Sequence, residues 1–192
     1  MKIGFDVDGV LADFIKAFGD IARNVYGRKR IPENFVPTDW NFGNLLTKEE
    51  LAETWKEVEN TKDYWYNVPP ITKSKSLAYW LDQCDADIWF ITARTPSNGR
   101  SVAKQTKAWL FEKQGIDSSM YAGIIPVIHS KDKKAIISGM ELDFFIDDHG
   151  PTVEALDTLP HLKACLLDAP WNQDAKVKTR VKTINDYLSI IA

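Results

Sequence analysis

Apolar residues recur along this chain with two periods. Short runs rich in β-branched and aromatic residues lie at KIGFDV (Lys2–Val7), DIWFIT (87–92), IIPVI (124–128), DFFID (143–147) and KACLLD (163–168). Their length and composition predict buried strands. Helical spacing fills the intervals: Ser97 to Gln114 carries Val102, Trp109 and Leu110 on one face, with Gly115 as a stop. Strands alternating with helices predict an α/β fold, a mainly parallel sheet covered on both faces. Right-handed crossovers then bring the C-terminal strand ends to one edge, where open α/β sheets bind ligands.

One interval breaks the alternation. From Asp13 to about Pro70 no convincing strand appears. Phe14, Phe18, Ile21 and Val25 share a helical face, and an aromatic segment, IPENFVPTDWNFGN, follows. Thr47 with Glu50 three residues on reads as a capping box that opens a second helix ending near Asn60. KDYWYNVPP then leads back to the sheet. The expected organisation is a core of residues 1–12 and 71–192 with a small helical cap, 13–70, inserted after the first strand.

At 192 residues the chain suits one sizeable domain with such an insertion. Its net charge of −3 argues against a nucleic-acid polymer as partner, though not against a small anionic substrate. Cys84 and Cys165 read as free thiols of a reducing compartment. There is no apolar run of membrane-spanning length, and the N-terminus begins a strand instead of a signal peptide. A cytoplasmic protein with no membrane partner is expected; a homodimer is left open.

Chemistry gathers at the strand tips. Asp6 and Asp8 end the first apolar run just before Gly9. They could simply cap the following helix. Thr92 ends the second run, followed by Ala93 and Arg94; Asp147 and Asp148 end the fourth. Lys131, Lys133 and Lys134 sit in SKDKK, where Lys131 and Lys134 read as a solvated face. Up to four carboxylates on one edge are costly without a cation, and a hard ion such as Mg²⁺ resolves the conflict. A carboxylate, a metal, a hydroxyl and an ammonium are the parts for phosphoryl transfer through an aspartyl-phosphate.

The ordered set DVDGV (Asp6–Val10), Ile91-Thr92, Lys133 and IDD (Ile146–Asp148) resembles the haloacid dehalogenase (HAD) superfamily of phosphohydrolases. DVDGVLADF, Asp132-Lys133, FFIDD and LLDAPWN (Leu166–Asn172) look like the cytosolic and mitochondrial 5'(3')-deoxyribonucleotidases and their bacterial and phage relatives. Where the mammalian enzymes carry Thr-Ser-Pro, this chain has Thr92-Ala93-Arg94. The resemblance implies a HAD-like Rossmannoid three-layer sandwich and a Mg²⁺-dependent nucleotidase. Asp6 would attack phosphorus, and Asp8 would serve as general acid and base. Mg²⁺ would take Asp6, the Asp8 carbonyl, and Asp147 as first choice, with Asp148 second. Thr92, Lys133 and Gly9 would meet the phosphate; Arg94, where the chain departs from the family, reads as a further phosphate or ribose contact or as a surface residue. Phe14, Trp40 and Trp65 resemble, in placement, the aromatic residues that form the family's base pocket, since a base offers a flat π-face.

Three other readings compete. The first is a HAD phosphatase for another small phosphomonoester, such as a sugar phosphate. The second is a phosphoryl-receiving switch domain, disfavoured because here the acid pair comes late and the lysine precedes it. The third is a degenerate binding module, disfavoured because every catalytic position is filled.

Overall fold

The computed structural model describes residues 1–39, 42, 45–71 and 75–192. Its sheet has six parallel strands in the order β3-β2-β1-β4-β5-β6. They are β1 (Lys2–Phe5), β2 (Asp87–Ala93), β3 (Gly123–Val127), β4 (Phe144–Asp147), β5 (Lys163–Leu167) and β6 (Arg180–Val181). The five expected strands are present with ends shifted by a residue or two, and the two-residue β6 was not expected. The polar loop TPSNGRS delays the helix expected from Ser97. Helix α5 runs Val102–Trp109, continues as a π turn over Leu110–Gln114, and stops at Gly115 in the left-handed region.

Alternation along the strands divides the core between the sheet's faces. Ile3, Phe5, Ile88 and Phe90 pack with Leu77 and Leu81 of α4 (Lys75–Gln83), Trp109 of α5, and Tyr187 and Ile191 of α8 (Ile184–Ile191). Ile91, Phe145, Ala164 and Leu166 pack with Ile137 of α6 (Lys133–Met140) and with Val153 and Leu156 of α7 (Gly150–Leu156). This is a helix–sheet–helix sandwich. Among the described residues no helix is long and apolar enough to cross a membrane.

Glycines in β1 and β3, the strands on either side of β2, make room for rings. Gly4 is paired in register with Trp89 and Phe145, and Gly123 with Trp89. A Cβ on Gly4 would lie 2.4 Å from the Phe145 ring, and one on Gly123 would lie 2.6 Å from the Trp89 ring. The rings cover the missing side chains, so glycine inside a buried strand here serves packing.

Between β1 and α4 lie α1 (Phe14–Tyr26), α2 (Lys48–Asn60) and the single turn α3 (Tyr64–Asn67). Asp13 caps α1 through the Lys16 N–H. The capping box of Thr47 and Glu50 is formed. Phe14, Phe18, Val58, Tyr64 and Trp65 belong to the same apolar cluster as Ile3 and Phe5, so this segment's core is continuous with one face of the sheet. Cys84 and Cys165 are free thiols.

Gly4→Ala should force the buried Phe145 ring out of place and lower unfolding stability by about 1–3 kcal/mol. Urea denaturation measures this, and an unchanged midpoint and slope would contradict the packing described.

Candidate active site

Parallel register sets the floor of the site. Phe5 pairs with Ile146, and the Asp6 N–H continues the ladder to the Ile146 carbonyl at 2.9 Å. Asp6 and Asp147 are therefore neighbours, one step beyond the last pair, on the face that α6 covers. Lys133, the first residue of α6, places Nζ 2.7 Å from Asp6 Oδ2 and 2.7 Å from Asp147 Oδ2. The other Asp147 oxygen accepts the His149 N–H at 2.8 Å. Both Asp147 oxygens are thus engaged.

Asp148 differs. Its Oδ2 accepts Trp171 Nε1 at 2.8 Å, while its buried Oδ1 has no hydrogen-bond partner. Oxygens of Asp6, Asp147 and Asp148 lie within 4.8 Å of one another. An orphaned buried oxygen beside two further carboxylates is a donor set that fits a hard divalent cation. Gly9 completes the cradle at φ +74°, and a Cβ there would fall 1.9 Å from Asp148 Oδ2. Its glycine keeps space open for that carboxylate, where close approach to a phosphate was the expected reason.

Asp8 is held apart from this group. Arg94 grips it with two hydrogen bonds, Nε to Oδ2 at 2.7 Å and Nη2 to Oδ1 at 2.8 Å. Thr92 Oγ1 donates to Oδ2 at 3.0 Å. Thr92 and Arg94 are buried and do not line the cavity, so both expected phosphate contacts turn instead to Asp8. A guanidinium and a hydroxyl beside a buried carboxylate satisfy it best at short range.

The cavity above has a volume of about 660 Å³. Asp6, Asp8, Lys133 and Asp148 line it, whereas Asp147 does not. Phe14 and Trp65 form part of its wall as expected; Trp40 lies outside the described residues. Trp55 also lines it, and its ring stacks on Phe14 at 5.6 Å, while Phe14 stacks on Trp65 at 6.1 Å. Leu51 and Trp55, four apart on the inner face of α2, carried a helical signal that could have marked them. His129, Ser130 and Lys131 after β3 also reach the cavity, so Lys131 is more than the solvated face expected of it. No local pattern distinguished these three.

Crowding shapes the electrostatics. Burial pushes the Asp6 carboxyl up to about 8; Lys133 pulls it down and Asp147 and Asp8 push it up. Burial, then Asp147 and Asp6, hold Asp148 well above the usual carboxylate range. Burial lowers the Lys133 pKa, but Asp147 and Asp6 reverse this, so its net shift is upward and it stays charged. Burial also lowers the His149 pKa.

A sequence model of the family described as "5' nucleotidase, deoxy (Pyrimidine), cytosolic type C protein" matches residues 1–192. The chain belongs to that family. It is accordingly a phosphatase or nucleotidase of the HAD superfamily. A protein of Oceanobacillus iheyensis carrying the name "Putative nucleotidase" is 28% identical over 199 residues, covering 98% of this chain and 97% of that protein. Solved structures share the fold. L-2-haloacid dehalogenase of Xanthobacter autotrophicus superposes with TM-score 0.58 at 12% identity, covering 99% of this chain and 97% of the other. The "putative HAD-hydrolase YfnB" of Bacillus subtilis, bound to magnesium, gives 0.57 at 16% identity with the same coverage.

Without metal, the folded protein holds protons on Asp6 and Asp148 that the unfolded chain, with a carboxyl pKa of 3.8, releases. The native state then binds more protons than the unfolded one, so stability falls as pH rises above that value. In EDTA, wild type should lose stability relative to Asp148→Asn as pH rises above the unfolded carboxyl value, by roughly 1.4 kcal/mol per pH unit while the folded Asp148 stays protonated. Parallel stability–pH curves for the two proteins would contradict this.

Proposed function

We propose that this family member is a Mg²⁺-dependent phosphomonoester hydrolase acting on nucleoside monophosphates, of the 5'(3')-deoxyribonucleotidase kind. One observation carries the reading: Asp6 and the orphaned Asp148 oxygen share the floor of a cavity walled by Phe14, Trp55 and Trp65. Floor and wall offer separate places for a phosphate and a flat base.

Asp6 attacks phosphorus; the ester P–O bond breaks as the Asp6–phosphorus bond forms, giving an aspartyl-phosphate. Asp8 supplies the proton taken by the leaving alkoxide. A water then attacks the phosphoryl group, Asp8 accepts its proton, and Asp6 is released with inorganic phosphate. Lys133, already 2.7 Å from Asp6, offsets charge on the transferring group. Asp6 and Asp148 would hold Mg²⁺, with the Asp8 carbonyl taken from the family resemblance; the ion would relieve repulsion between Asp6 and the incoming dianion. Asp148 replaces Asp147 as first choice because its buried Oδ1 has no hydrogen-bond partner and it lines the cavity, which Asp147 does not. We read residues 13–70 as the cap, since α1, α2 and α3 supply Phe14, Trp55 and Trp65 to the wall. Trp65 already carries the Arg94 guanidinium 4.9 Å from its ring centre, so the half-buried Trp55 is the better base platform.

Phosphate release from a panel of nucleoside monophosphates and sugar phosphates tests this reading. Nucleotides should be preferred, EDTA should stop turnover, Mg²⁺ should restore it, and Asp6→Asn should be inactive but folded. Trp55→Ala should cost roughly 5- to 150-fold in kcat/KM on a nucleotide and little on p-nitrophenyl phosphate. Equal losses on both substrates, with sugar phosphates turned over as fast, would favour a generic small-ester phosphatase.

A further inference from the structure

Asp8 is bound more completely than a proton carrier requires, and its bonds are unevenly shared. Each carboxylate oxygen offers two lone-pair sites. On Oδ2 both are used, by Arg94 Nε at 2.7 Å and Thr92 Oγ1 at 3.0 Å. On Oδ1 one is used, by Arg94 Nη2 at 2.8 Å. Asp8 also lines the cavity.

Arg94 is itself fixed from two other sides. Its Nη1 donates to Thr106 Oγ1 on α5 at 2.8 Å, and that hydroxyl spends its own proton on the Val102 carbonyl at 2.9 Å. The polarity of this contact is therefore set. Trp65 of the proposed cap lies over the guanidinium at 4.9 Å and donates Nε1 to the Thr95 carbonyl at 2.7 Å. Arg94 is 1% exposed and Lys133, not Arg94, reaches the nucleophile.

We propose that Arg94 is a positioning residue that orients Asp8 for proton transfer, leaving Oδ1 as the atom that carries the proton. The inference rests on the acid–base role given to Asp8 above. As the ester P–O bond breaks and Asp6 bonds to phosphorus, the proton on Oδ1 passes to the leaving alkoxide. The carboxylate that remains is the form Arg94 grips best. In the second half, the same Oδ1 takes a proton from the attacking water. Two N–H donors in a rigid plane fix the carboxylate plane as a single ammonium cannot. Trp65 ties that plane to the segment whose rings wall the cavity, so the aromatic wall and the proton carrier keep one geometry.

The test uses leaving groups. An alkoxide needs a proton as it departs; p-nitrophenolate does not. The steady-state kcat/KM reports steps up to the first irreversible one, release of the leaving group. It is measured for a nucleoside 5'-monophosphate and for p-nitrophenyl phosphate in wild type, Asp8→Asn, Arg94→Gln and Arg94→Lys, with inhibition by inorganic phosphate alongside. Asp8→Asn and both Arg94 variants should lose about 100-fold or more on the nucleotide, within the range general-acid catalysis supplies, and less than about 5-fold on p-nitrophenyl phosphate. Inhibition by phosphate should be unchanged in all three. Arg94→Lys keeps a buried cation beside Asp8 and carries the comparison if Arg94→Gln does not fold. Equal losses on both esters, or weaker phosphate inhibition, in Arg94→Lys while Asp8→Asn stays selective would make Arg94 a phosphate contact or a structural residue and overturn the inference alone. An Asp8→Asn variant without leaving-group selectivity would overturn the acid–base reading of Asp8, and the inference with it.

Discussion

Parallel pairing puts Asp6 and Asp147 side by side at the end of β1 and β4, and Asp148 follows within 4.8 Å. Three buried carboxylates with one lysine between two of them cannot all be charged at modest cost. Much of the local sequence answers that constraint. Lys133 opens α6 at the one place where its ammonium reaches both acids at 2.7 Å. Gly9 takes φ +74° so that the Asp148 carboxylate has room. Trp171, from the segment after β5, satisfies one Asp148 oxygen and leaves the other open.

Asp8 escapes the same crowding by having its own cation. Arg94 and Thr92 come from the end of β2, and Thr106 backs Arg94 from α5. The site therefore has two electrostatic compartments. One gathers acids around Lys133 and suits a divalent ion and a phosphate. The other gathers donors around a single carboxylate and suits a proton carrier. Two acids only two residues apart in the sequence can thus do different work, because the strands on either side of β1 surround them differently.

Much of this was legible in the residues. The strands, the capping box at Thr47 and the acids at the strand tips follow from periodicity and local chemistry. Asp6, Asp8, Lys133 and Asp148 could be expected at one edge, where they share a cavity, because motifs at strand ends converge in a parallel sheet. Pairing partners were less legible. Arg94 and Thr92 meet Asp8 across more than 80 residues of chain, and no local pattern says whether an arginine at a strand tip faces a ligand or a neighbour. The choice between Asp147 and Asp148 depends on which one Lys133 and the His149 N–H occupy, which is a matter of rotamers. Trp55 was overlooked because a tryptophan on an amphipathic helix is ordinarily core, whereas here the helix's inner face borders a cavity.

The proposed function depends on the carboxylate cluster receiving a divalent cation in place of protons. Isothermal titration of metal-free protein with Mg²⁺, near neutral pH and in buffers of different ionisation enthalpy, measures both partners of that exchange. One site per chain is expected, with binding coupled to net proton release and both lost in Asp148→Asn. Binding without proton release, or binding undiminished in Asp148→Asn, would contradict it.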